Sequence, residues 1–93
     1  MALTNSQHIL HELQASEPLT EQQLQSALRG QQIDISLESV GIELSQLIKA
    51  GWVEYYGTQN EDGLVEEDII IAYELCNRWW NLEESERERI LVN

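Results

Sequence analysis

Residues 35 to 53 read Ile-Ser-Leu-Glu-Ser-Val-Gly-Ile-Glu-Leu-Ser-Gln-Leu-Ile-Lys-Ala-Gly-Trp-Val. Within them Leu37, Val40, Leu44, Leu47 and Ile48 recur at helical spacing and form one apolar stripe. Ser36 stands where a side-chain oxygen caps the first turn, and Gly51 where a helix commonly closes. Trp52 to Tyr56 then gathers aromatic and β-branched residues directly after the glycine, which predicts a strand. The order is therefore helix, tight reversal, strand.

Upstream, residues 4–15 predict a first helix, with Thr4, Asn5 or Ser6 as cap and Ile9, Leu10 and Leu13 on one side. Ser16-Glu17-Pro18 ends it. Thr20 and Gln23 then have the spacing of a capping box for a second helix carrying Leu24, Ala27 and Leu28, which Gly30 is expected to stop. Ile33-Asp34-Ile35 suits a brief strand or an extended connector. Downstream, residues 57–68 form an acidic loop. Residues 66–80 contain no breaker and leave helix or strand open; Ile69 to Tyr73 favours a strand pairing with residues 52–56. Residues 82–92 predict a C-terminal helix capped by Asn81, with Glu83 and Arg87 as an i,i+4 pair.

Charge is the extreme feature of the composition. Seventeen acids against five bases give a net charge of -12 and a pI near 4.2. Binding a nucleic-acid backbone draws on Lys and Arg that displace counterions from phosphates, and five bases scattered from Arg29 to Arg89 make no stripe. Duplex DNA and anionic membranes are disfavoured by the same argument. One cysteine, Cys76, excludes an internal disulfide and points to a reducing, cytoplasmic setting, and the start of the chain lacks a basic and apolar leader. Ninety-three residues suffice for one domain with one modest core.

The two upstream helices, followed by Ser36-Leu37-Glu38-Ser39-Val40 and Leu44-Ser45-Gln46-Leu47-Ile48-Lys49-Ala50-Gly51-Trp52-Val53, resemble a winged helix-turn-helix. The resemblance covers about residues 4–75. It implies an α+β, mainly α fold, a winged-helix-like three-helix core with a β-hairpin and a C-terminal helix: residues 4–56 form the helical core and first wing strand, 57–68 the acidic loop, and 69–93 the second strand or a helix, followed by the C-terminal helix. In DNA-binding members the exposed face of the third helix and the wing tip carry Arg, Lys, Asn or Gln to bases and phosphates. Here the aligned positions are Glu38, Ser39, Ile42, Glu43 and Gln46, and the loop adds Glu61 and Asp62. Carboxylates thus fall where that family presents basic groups.

Other constellations are weaker. His8, His11 and Glu12 lie within a helical turn but have no fourth ligand, so a metal is not expected. No nucleophile with a base and no phosphate-cradling loop is visible, so neither a cofactor nor catalysis is expected. Trp79 and Trp80 are adjacent and point in different directions on any regular element, so one packs while the other is free to join Tyr55 or Tyr56 in a contact patch. Leu82, Ile90, Leu91 and Val92 give the last helix an apolar end that needs its own domain or a second copy, and the resemblance implies homodimerisation there. The resulting expectation is a protein-protein interaction module of acidic surface. Its partner would be basic, for instance the nucleic-acid-binding face of another protein, with this chain as a DNA mimic or regulator. The partner-binding candidates are Glu38, Ile42, Glu43, Tyr55, Glu61, Asp62, Trp79 and Trp80. The alternative is a dimeric winged-helix transcriptional regulator.

Overall fold

The computed structural model describes residues 3–58 and 70–92. Among them the chain runs α1 (Asn5–Ala15), β1 (Leu19–Thr20), α2 (Glu21–Gly30), α3 (Leu37–Ala50), β2 (Val53–Thr58), β3 (Ile70–Leu75), α4 (Asn77–Trp80) and α5 (Glu84–Val92). The fold is α+β and mainly α: a three-helix core, a β-hairpin and a C-terminal helix. No described helix is long and apolar enough to cross a membrane.

Local chemistry sets the helix ends. Thr4 and Thr20 each accept the N–H three residues on, while Gln7 and Gln23 reach back to the threonine N–H, giving two complete capping boxes. Ser36 accepts from the Ser39 N–H at 3.1 Å. At the other end of α3, Gly51 adopts φ 86, and the N–H groups of Trp52 and Gly51 turn back to the carbonyls of Leu47 and Ile48. This is the crossed pair of bonds that closes a helix through a left-handed residue. α2 closes in the same way: Ile33 bonds to Leu28 and Gln32 to Arg29, with Gln32 at φ 65. The sequence placed the stop at Gly30, but Gly30 is the last helical residue and a glutamine takes the left-handed position.

The sheet is antiparallel with β3 between β1 and β2. The expected strand pairing holds and extends to Thr58 and Leu75, with Tyr55 opposite Tyr73. β1 was not foreseen. Its two residues pair with Tyr73 and Ala72, and the carboxylate of Glu17 lengthens that edge by accepting the Leu75 N–H at 2.8 Å. Residues 33–35 are a connector rather than a strand, with Ile35 buried and its carbonyl taken by Gln25.

The core joins the stripes of α1, α2 and α3 to Val53, Tyr73 and Leu75 of the sheet. Trp79, fully buried, lies edge-on to Trp52 at 5.6 Å and donates its Nε1 proton to Gln14 at 3.2 Å. The short helix α4 that delivers it was not expected, and it corrects the role given to Asn81. Asn81 closes α4 through the Asn77 carbonyl, and α5 begins later, its first turn gathered on the Glu83 carbonyl. Arg87 does not serve as the ion-pair partner of Glu83: its guanidinium donates to the carbonyls of Trp80 and Leu82 and lies over the Trp80 ring. α5 docks on α1, where Gln7 donates to the Ile90 carbonyl and His11 meets that of Leu91.

The two helix closures predict substitutions of opposite sign. Gln32→Gly relieves a left-handed L-residue and should stabilise the fold by about 0.5–1 kcal/mol. Gly51→Ala should destabilise it by about 1 kcal/mol or more, because the new methyl also meets Arg78 Nη1 at 2.5 Å until that side chain moves. Urea midpoints at constant m-value would measure both.

Candidate protein-interaction surface

The partner-binding residues proposed from sequence separate in space. On α3, Glu38 and Ile42 are exposed, Ile42 at 52% of its surface, alongside Ser45, Gln46 and Lys49. Glu43 is different. It turns toward α1 and accepts a hydrogen bond from the Ser6 hydroxyl, so it ties two helices together and does not belong to the free face. The exposed face of α3 therefore carries Glu38 and Lys49, which balance, and the expected pair of carboxylates reduces to one.

Trp79 is also removed from the surface, because its full burial makes it core. Trp80 remains 41% exposed, held by Arg87. The prediction that one of the adjacent tryptophans packs is met, but the two form no joint patch. Glu61 and Asp62, with most of the acidic loop at 57–68, lie outside the described residues.

Tyr55 proves the most informative of the set. It is 59% exposed on β2, and its ring lies 6.2 Å from that of Tyr73 on the helix-facing side of the sheet. Tyr73 is anchored from below: its hydroxyl donates to Glu21 at 2.8 Å. Burial, together with that bond and the Glu21 charge, pushes its pKa up to about 12. Farther along the same face Gly57 stands opposite Ile71, and having no side chain it leaves Ile71 uncovered and exposed. Ile71 and Leu37 flank an open crevice of about 700 Å³ whose other walls are α2 residues and Thr20. Its single titratable lining residue, Glu21, is already engaged by Tyr73.

The opposite face of the hairpin is polar and negative. Glu54 and Glu74 face each other across β2 and β3, and Tyr56 is exposed beside them. The Glu74 pKa is raised by desolvation, by a side-chain hydrogen bond with Glu54, and by the charges of Glu54 and Glu17. Cys76, next in line, has its pKa raised by partial burial and by Glu54 and Glu74, against the opposing pull of Arg78. It is accordingly a poor thiolate. Sequence inspection missed this face because the second strand was ended at residue 73. Extending it by two residues puts Glu74 opposite Glu54 in the same register.

Positive charge is committed elsewhere. Arg78 lies 5.0 Å over the Trp52 ring and donates to the Ala50 carbonyl at the end of α3, and Arg87 serves the carbonyls before α5. Both satisfy helix-end or turn carbonyls in the manner expected of cations there. Around His8 and His11, Glu12 accepts from Gln31 and His11 contacts the Leu91 carbonyl. Among the described residues no group of three or more His, Cys, Asp or Glu is arranged for a metal. Compared with protein-family models, curated proteins and solved structures, the chain matches none.

Because its folded pKa is raised, Glu74 binds a proton more tightly in the folded state. Its contribution to stability is present at low pH and is lost as pH rises through the carboxylate range. Glu74→Gln should therefore become more stable relative to the parent as pH rises from about 3.5 to 7, with the gap narrowing in high salt. Paired urea denaturations at the two pH values would register it.

Proposed function

We propose that this chain is a small acidic protein-protein interaction module of winged-helix-like fold that binds a partner with a basic face. The reading is supported above all by the β-hairpin, where exposed Tyr55 and Tyr56 are flanked by the opposed carboxylates of Glu54 and Glu74. Exposed aromatic side chains supply contact area at low entropic cost. Two opposed carboxylates, with the proton affinity of Glu74 raised by burial and by Glu54, favour an incoming cation, which relieves their repulsion on binding. The net charge of -12 attracts such a partner at long range and accelerates encounter. A nucleic-acid-binding protein has a face of this kind, and occupying it would make the chain a competitor of DNA.

The three helices followed by a hairpin immediately beyond Gly51 support the winged-helix resemblance. They do not favour the DNA-binding alternative, since Arg78 and Arg87 are engaged by the chain's own carbonyls and the exposed α3 face holds Lys49 with Glu38. Nor does α5 call for a second copy: Leu91 is buried, and Ile90 and Leu82 pack on the core of the same chain, leaving Val92 exposed. The reading is one of binding and not of catalysis, and it places the protein in the cytoplasm on the strength of its lone thiol.

Random duplex DNA should show no binding at about 50 mM salt. Affinity in the micromolar range that fell steeply with added salt would sink the proposal in favour of the regulator. A basic protein recovered from the native host should bind with a salt-sensitive on-rate, and Glu54→Lys together with Tyr55→Ala should weaken it by at least about tenfold. If Glu38→Lys weakens it instead, the contact belongs to α3.

A further inference from the structure

Among the described residues the hairpin ends in a strand edge that no other strand pairs. In an antiparallel ladder alternate residues direct both backbone groups to the same neighbour. The Cys76 N–H bonds to the Trp52 carbonyl, and the register carries this pairing through Glu54 with Glu74 and Tyr56 with Ala72. The Trp52 carbonyl and both backbone groups of Glu54 and Tyr56 thus face β3, whereas the amides and carbonyls of Val53, Tyr55 and Gly57 face away from it. The bond from Leu75 N–H to Glu17, on the far side of β3, has the same parity and fixes it independently. Among the described residues, no strand pairs with that outer edge of β2, and Tyr55 and Gly57 along it are exposed.

Strand edges of this length are usually blunted by lysine, proline or a bulge. β2 has none of these: it reads Val-Glu-Tyr-Tyr-Gly-Thr, and its pairing with β3 is continuous over six residues. Its one charged side chain, Glu54, is negative and stands opposite Glu74 on the polar face. On the other face, Tyr55 and the uncovered Ile71 are apolar, with Gly57 leaving space between the edge and Ile71.

We propose, building on the interaction reading above, that the outer edge of β2 takes up an extended segment of a basic protein as a fourth strand. That segment alternates in kind: cationic side chains fall on the Glu54 side, and apolar side chains fall opposite Tyr55 and Gly57, toward Ile71. Backbone bonds to Tyr55 and Gly57 supply adhesion, while the two faces of the sheet supply the selection between lysine or arginine and valine or leucine. Charge decides this occupant over a second copy, since two copies would bring two Glu54-bearing strands together with -12 on each chain.

The probe is the peptide acetyl-Lys-Val-Lys-Val-Lys-Val-Lys-amide, with acetyl-Lys-Lys-Val-Val-Val-Lys-Lys-amide as a control of equal composition. Residue-resolved amide exchange on the intact chain should slow by at least about tenfold at Tyr55 and Gly57 with the alternating peptide, leaving Tyr56 unchanged. Tyr55→Pro removes an outward N–H and leaves the β3 ladder intact, so it should abolish the effect, whereas Tyr55→Val should keep it. Glu54→Lys, which leaves the edge backbone unaltered, should weaken the peptide at low salt and serves even if the proline variant does not fold. Equal protection by the control peptide, an undiminished effect in Glu54→Lys, or protection that rises with the protein's own concentration without peptide would each overturn the proposal. If a basic protein from the host binds while exchange at Tyr55 and Gly57 stays as in the free chain, edge addition fails and the interaction reading stands.

Discussion

Burial of Trp79 is the constraint on which the rest of the structure depends. A side chain of this size at 0% exposure in a domain of 93 residues must be enclosed from several directions at once. Trp52, just before β2, meets it edge-on, and Gln14, at the end of α1, accepts a hydrogen bond from its indole N–H. Truncating a buried tryptophan to alanine typically costs about 3–5 kcal/mol, a large share of what a small domain possesses. The arrangement needs the chain to turn sharply after β3, which α4 does in four residues. It also needs Trp52 presented at a fixed angle, which the left-handed closure at Gly51 provides.

The same corner explains how a strongly acidic chain uses its few cations. Arg78 lies over the Trp52 ring and reaches the Ala50 carbonyl at the end of α3, so one guanidinium covers an aromatic ring and a helix end together. Arg87 does the equivalent for Trp80 and the turn before α5. Such contacts are individually modest, of order 0.5–1 kcal/mol at exposed sites. Their larger effect is on the surface left behind. With two of five bases folded against the chain's own backbone, the sheet carboxylates Glu54 and Glu74 keep a field that neighbouring cations would otherwise have cancelled.

What could be read from sequence was what is local. Both capping boxes depend on residues three apart, and the α3 stripe, its serine cap and its glycine closure all lie within sixteen residues from Ser36 to Gly51. The hairpin pairing was legible from β-branched and aromatic runs. Features joining distant segments were not. β1 is only two residues long and exists because β3 arrives beside it, and Glu17 acquires its role from a backbone N–H 58 positions away. Glu43 carried the same signal as Glu38, a carboxylate on the third helix, and only the approach of Ser6 from α1 distinguishes them. The fate of the two tryptophans likewise turned on a short helix with no sequence cap to announce it: Cys76 precedes it without a side-chain bond.

The docking of α5 on α1 has a topological consequence. Gln7 bonds to the carbonyl of Ile90 and His11 lies 3.3 Å from that of Leu91, so segments eighty or more positions apart in sequence run side by side. The beginning and end of the described chain emerge from one corner of the molecule. A short polar linker could join them into a ring without displacing the helices. Cargo fused at either end would leave the body of the domain from that same corner.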